Sequence, residues 1–211
     1  MNINSIIILE IEETTIPEIL FLYLSETEKQ DFVKIASLNR QKQFLYSKVL
    51  LKKIASKLLN IDFKELSIAK DKNGKPFFAD YNELYFSLTH SKNMIVLAFS
   101  DEVIGIDVEK NEIRNVKIAK RFFSKAEQNY IYQNQDLANQ RFLEIWTKKE
   151  AYIKYLGESV AYLNKFCVFD LKENLFFSEE KNYFLSIYTK KQKTDFNFYR
   201  LSETKFLEVC S

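Results

Sequence analysis

Hydrophobic and polar positions repeat on two periods along this chain, and the switches between them mark its elements. Residues 5–12 are apolar and β-branched, which predicts a first strand. Ser25 followed by Glu28 has the pattern of a capping box and opens a long charged helical region. Within it Leu51, Ile54, Ala55 and Leu58 recur at i, i+3, i+4 and i+7, the spacing of a core-facing stripe. The period breaks over 71–82, where DKNGKPFFADYN reads as a turn-rich loop. Three strand-like stretches follow, LYFSLTH (84–90), MIVLAFS (94–100) and VIGIDVE (103–109). A short polar stretch separates the last two, which predicts a hairpin or meander. The helical period returns from Ser124 to Tyr155, with a second capping box at Ser124 and Glu127 and a break around Asn134–Asn139. Strands are then expected at Phe166–Leu171, Tyr183–Tyr188 and Phe196–Leu201, the last with Phe196, Phe198 and Leu201 on one face. Each half thus runs strand, helices, strands. The expected fold class is α+β, with two similar halves at 1–104 and 105–211.

Composition narrows the functional classes. With 211 residues, 46% hydrophobic and 15% aromatic, the chain can bury one large core or two joined ones, so disorder and coiled coil are excluded. Lys and Arg total 31 against 29 Asp and Glu, a formal charge of +2, which argues against a nucleic-acid partner. Cys167 and Cys210 have neither metal-type spacing nor a disulfide framework and read as reduced thiols, Cys167 in the core. The start, MNINSIIILEIEE, lacks a basic region and reads as a strand rather than a signal peptide. No apolar run reaches membrane-spanning length. A cytoplasmic protein is expected, with no membrane partner.

Candidate chemistry concentrates in a few places. In VIGIDVEK, Ile104, Ile106 and Val108 alternate with Gly105, Asp107 and Glu109. A strand would point both carboxylates to one face, about 7 Å apart. Such a pair is either a solvated face or half of a Mg²⁺ site, since that ion takes carboxylate oxygens, phosphates and water. In WTKKEAYIKYLGES, Trp146, Glu150 and Lys154 follow one another at i+4 and share a helix face. Glu150 and Lys154 are either a surface ion pair, or a third metal carboxylate or general base beside a cation. His90, in SLTHSKN, is the only histidine, either structural at a strand end or in contact with phosphate. No nucleophile elbow accompanies it. Asn73-Gly74-Lys75-Pro76 forms a turn whose backbone can approach a flat ring or a phosphate, and Arg40 and Lys48 lie at i, i+8 on one helix.

In this order the motifs GKPFF (74–78), FSLTHS (86–91), GIDVE (105–109), FFSKAE (122–127) and WTKKEAYIK (146–154) resemble those of the Sfp-type 4′-phosphopantetheinyl transferases. That resemblance implies a monomer of two pseudo-twofold-related α+β halves with coenzyme A in the cleft between them. It implies Mg²⁺, or Mn²⁺, on Asp107, Glu109 and Glu150. Thr89 and His90 would contact the 3′-phosphate with help from Arg40 or Lys48, while Gly74, Lys75 and Pro76 would line the adenine. Asp107 would also border the coenzyme, and Lys149 and Lys154 would face its pyrophosphate, with Glu150 and Lys154 catalytic. The partner implied is an acyl- or peptidyl-carrier protein, docked near 111–131 on Phe122 and Phe123. The reaction implied is transfer of phosphopantetheine to a carrier serine with release of 3′,5′-ADP. Two other classes share these features, a module that binds coenzyme A or a carrier without catalysis and a metal-dependent phosphoesterase.

Overall fold

The computed structural model describes residues 2–12, 15–171 and 175–210. Its order is β1 (Ser5–Glu10), α1 (Glu26–Val33), α2 (Leu38–Leu59), β2 (Ile68–Lys70), β3 (Pro76–Phe78), β4 (Tyr85–Ser91), β5 (Met94–Ser100) and β6 (Ile104–Lys110). There follow α3 (Ala119–Phe122), α4 (Lys125–Tyr132), α5 (Ala138–Leu156), β7 (Leu175–Glu180), β8 (Tyr183–Thr189), β9 (Asn197–Ser202) and α6 (Glu203–Cys210). Both capping boxes form as expected, at Ser25 with Glu28 and at Ser124 with Glu127. Each closes only a short helix; the long helices α2 and α5 follow separately.

One sheet has the order β4-β5-β1-β9 and another β6-β8-β7, while β2 and β3 form a small hairpin around the Asp71–Lys75 turn. The first sheet is covered on both faces, which explains why Ile6, Ile7, Ile8 and Leu9 are all buried instead of alternating. Ile7, Leu9, Ile95, Leu97 and Phe99 pack toward α2 with Leu45, Val49 and Leu50. Ile6, Ile8, Val96 and Ala98 face the second sheet, meeting Ile104, Ile106, Val108, Leu185 and Ile187. Helix α5 lies on the far face of that second sheet, against β6 and β8. The result is four layers, α2, sheet, sheet and α5, an α+β architecture.

Several expectations change at tertiary level. Strand β6 does not form a hairpin with β5; it pairs with β8, from Ile104↔Thr189 to Lys110↔Tyr183. The hairpin is β4–β5. Residues 166–171 are not a strand: Val168–Asp170 form a turn of 3₁₀ helix, because the carbonyls of Leu163 and Phe166 and the N–H of Val168 are taken by the side chains of Lys149 and Glu127. The strand falls instead at β7. In β9, Tyr199 and Leu201 pack toward the α2 core while Phe198 is exposed, so Phe198 does not share a buried face with Phe196. β9 also pairs parallel with β1, returning residues 197–202 to the first sheet.

Candidate active site where the two sheets meet

The alternation in β6 decides the geometry of the site. Ile104, Ile106 and Val108 point into the inter-sheet core, so Gly105, Asp107 and Glu109 point the other way. Gly105 is the point of closest approach to α5: a Cβ built there would lie 2.0 Å from the Ala151 carbonyl oxygen and 2.3 Å from the Tyr155 nitrogen. Helix backbone rests directly on strand backbone, which sets Glu150 and Lys154 against Asp107. Lys154 Nζ lies 2.7 Å from Asp107 Oδ1 and donates to Thr89 Oγ1 at 3.2 Å. Asp107 Oδ2 is buried and has no hydrogen-bond donor among the described residues. Glu109 Oε2 accepts from Ser91 Oγ at 3.0 Å and from Arg114 Nη2 at 2.7 Å.

Negative charge is therefore concentrated and only partly neutralised. Burial, then the charges of Asp107 and Glu109, push Glu150 up to about 7 against the opposing pull of Lys154. Burial and Asp107 likewise raise Glu109 despite Arg114. Among the described residues no three His, Cys, Asp or Glu side chains are placed to grip one ion, Asp107 being turned to Lys154 and Glu109 to Arg114. The donor set nevertheless suits a hard divalent cation, with a buried carboxylate oxygen lacking a donor beside a glutamate whose ionisation is suppressed by its neighbours.

Strand β4 closes the site from the first sheet through hydroxyl groups. Ser87 Oγ, Thr89 Oγ1 and Ser91 Oγ accept the N–H groups of Ile106, Val108 and Lys110 at 3.1, 3.4 and 3.0 Å. These are the donors of β6 that point away from β8, so the hydroxyls satisfy what would be an open sheet edge. Thr89 and Ser91 then donate onward to Asp107 and Glu109. Sequence reasoning missed this seam, although a hydroxyl at every second residue of FSLTHS was a readable signal.

His90, between these hydroxyl residues, takes the opposite side of the strand and is exposed. Although part of its surface is exposed, the protein packed around the ring, then the Lys154 ammonium, lower its pKa; Asp107 opposes this and Arg40 adds to it. Thr89 and His90 point to opposite sides of β4, and Lys48 is paired with Glu28 at 3.2 Å.

The turn at Asn73–Pro76 is tied to the end of α5. Gly74 has φ +89°, Asp71 Oδ1 accepts the N–H groups of Asn73 and Lys75, and Asn73 Nδ2 donates to the Gly157 carbonyl at 2.7 Å. Lys75 Nζ donates to the Tyr155 carbonyl at 3.1 Å, and burial lowers its pKa. Gly74, Lys75 and Pro76 line a cavity of about 270 Å³ together with Ser87, Leu88 and Lys154. A second cavity of about 500 Å³, lined by Phe77, Tyr81, Tyr85 and Tyr155, continues past Lys75 and Pro76.

Two expected contacts are corrected. Lys149, expected beside Lys154 on the pyrophosphate, points to the other side of α5 and is fully buried, with Nζ 3.1 Å from Glu127 and donating to the Leu163 and Phe166 carbonyls at 2.7 Å each. Phe123 is 5% exposed, stacked on Phe142 and tilted against Trp146, so it is core and not a docking anchor. Phe122 remains partly accessible at the edge of Trp146, and Ile113 and Ile118 are the exposed apolar residues of this segment.

Comparison with known proteins matches this arrangement. A family model described as the 4′-phosphopantetheinyl transferase superfamily matches residues 103–207, and one described as 4′-phosphopantetheinyl transferase, N-terminal, matches residues 17–102. The chain is 32% identical over 140 residues to the 4′-phosphopantetheinyl transferase gsp of Aneurinibacillus migulanus, covering 65% of this chain and 57% of that protein. It is 31% identical over 118 residues to the 4′-phosphopantetheinyl transferase Sfp of Bacillus subtilis (strain 168), covering 56% and 53%. To the 4′-phosphopantetheinyl transferase AcpT of Escherichia coli (strain K12) it is 36% identical over 126 residues, covering 57% and 60%. The chain thus spans somewhat over half the length of these curated relatives. Because the two family matches run from residue 17 to residue 207, across every residue of the site and every strand but β1, the chain belongs to the 4′-phosphopantetheinyl transferase superfamily.

Proposed function

We propose that this chain transfers the 4′-phosphopantetheine of coenzyme A to a serine of an acyl- or peptidyl-carrier protein, working as a monomer in the cytoplasm. Among the described residues no helix is long and apolar enough to cross a membrane. The observation that carries the reading is the meeting of Asp107, Glu109 and Glu150 with Lys154, which itself lines the cavity of Gly74, Lys75 and Pro76.

Residues 1–104 serve the nucleotide end of coenzyme A. Gly74, Lys75 and Pro76 line the adenine, and His90 with Arg40 takes the 3′-phosphate. Residues 105–211 hold the ion and receive the carrier. Asp107, Glu109 and Glu150 would hold Mg²⁺ or Mn²⁺, which supplies positive charge beside the pyrophosphate when bound. Lys154, rooted on Asp107 and Thr89, directs its ammonium to the pyrophosphate oxygens. The carrier serine Oγ bonds to the β-phosphorus, and the bond from that phosphorus to the leaving oxygen breaks, releasing 3′,5′-ADP. The serine proton passes to Glu150. The carrier docks over 111–131, with Phe122, Ile113 and Ile118 as apolar contacts.

The test is the intact mass of an apo carrier protein incubated with this chain, coenzyme A and Mg²⁺, with and without chelator. A chelator-sensitive gain of one phosphopantetheine unit is expected, and it should disappear with Glu150→Ala. No gain across fatty-acid, polyketide and peptide-synthetase carriers would overturn the reading.

A further inference from the structure

Arg114 holds a position that the transfer chemistry leaves unexplained. It lies just past the end of β6, and its Nη2 reaches back to Glu109 Oε2 at 2.7 Å. The contact is single: Arg114 Nε is buried and has no acceptor among the described residues, so the guanidinium does not form the two-pronged pairing that fixes an arginine to a carboxylate. The root of the side chain, by contrast, is fixed. The Arg114 N–H donates to Asn139 Oδ1 at 2.8 Å, and Asn139 Nδ2 donates to the Glu112 carbonyl at 3.1 Å, pinning this loop to the first turn of α5. A guanidinium with one good contact on a fixed backbone can leave by side-chain rotation alone. Glu109 would stay in place when it left, because Ser91 still donates to the same oxygen.

We propose that Arg114 is a displaceable counter-ion for Glu109, occupying the carboxylate in place of the divalent cation and swinging out to solvent when that cation enters. The inference deepens the metal-site reading under Proposed function and rests on it. Three carboxylates and two cations, Lys154 and Arg114, converge here, and each cation sits on a different carboxylate. A divalent ion on Glu109 would stand within a few ångströms of the guanidinium, a repulsion that persists at a partly exposed site. Arg114 therefore lowers the affinity of the resting protein for metal. By reciprocity of linkage, an acidic protein surface that draws Arg114 outward raises that affinity.

The experiment is a Mn²⁺ titration without coenzyme A or carrier, following the free-ion signal by electron paramagnetic resonance. Wild type, Arg114→Gln, Arg114→Lys and Asp107→Asn are compared, with circular dichroism to verify folding. The expected result is that Arg114→Gln binds Mn²⁺ on the order of tenfold more tightly, as loss of a nearby unit charge implies. Arg114→Lys, which keeps the charge, should stay near wild type, and Asp107→Asn should bind weakly or not at all. An arginine that instead orients Glu109 for the ion would show the opposite sign, roughly 10- to 100-fold weaker binding in Arg114→Gln. Weaker or unchanged binding in a folded Arg114→Gln, beside Asp107-dependent binding in wild type, overturns the counter-ion role and leaves the metal site standing. No Mn²⁺ binding in any of the proteins overturns both.

Discussion

Replacing Gly105 with alanine tests the contact on which the whole site depends. The added methyl would meet the Ala151 oxygen at 2.0 Å, the Tyr155 nitrogen at 2.3 Å and the Tyr155 Cα at 2.9 Å, all backbone atoms of α5 that cannot rotate aside. Restoring ordinary van der Waals separation requires strand and helix to part by roughly 1.5 Å. The second sheet is held between α5 and the inter-sheet core of Ile106 and Val108, so neither side yields freely. Overpacking of this kind costs about 1–3 kcal/mol. For a chain of this size that corresponds to a fall in Tm of roughly 2–10 °C. Function should suffer more than stability. Asp107 lies on one side of the contact and Glu150 and Lys154 on the other, and a displacement near 1 Å in a positioned site lowers turnover by on the order of 100-fold. The assay is a thermal melt followed by circular dichroism, together with carrier mass-shift kinetics below the transition. A variant with wild-type Tm and wild-type turnover would refute the argument, because it would mean that α5 does not rest on β6 at Gly105.

Further outcomes follow from the same geometry. Lys149→Met should destabilise by about 3–5 kcal/mol in urea titrations, because it strands Glu127 as an unpaired buried charge. Combining it with Glu127→Gln should recover part of the loss, and a cost below about 1 kcal/mol for the single variant would contradict the buried pairing. Ser87→Ala should cost about 1–2 kcal/mol by leaving the Ile106 N–H without its acceptor, and an unchanged urea midpoint would remove the hydroxyl seam as a stabilising feature. Glu150 is raised from 4.5 to about 7, so between those values the folded state binds its proton more tightly than the unfolded chain does. Its contribution is fully present below pH 4.5 and is lost as pH rises through about 7. In metal-free protein Glu150→Gln should flatten this fall, and parallel stability curves for variant and wild type would show that Glu150 is not perturbed.

What the sequence by itself determined is local. Capping boxes at Ser25 and Ser124, the alternation of Ile104, Ile106 and Val108 with Gly105, Asp107 and Glu109, and the i+4 spacing of Glu150 and Lys154 each depend on a few neighbouring residues. They were legible because backbone period alone assigns those side chains to a face. The tertiary structure decided what each face meets. The pairing of β6 with β8 rather than β5 follows from layers built by residues some eighty positions apart. The 3₁₀ turn at Val168–Asp170 exists because the Lys149–Glu127 pair draws on that backbone, and the same pair turns Lys149 away from Asp107 although Glu150 is its neighbour in sequence. Phe123 is core because Phe142 and Trp146 come back over it. The hydroxyl seam and the Arg114 contact on Glu109 arise where one sheet edge or loop happens to pass another. Periodicity fixes direction over a few residues, whereas partners across a core are chosen by the collective burial of distant segments.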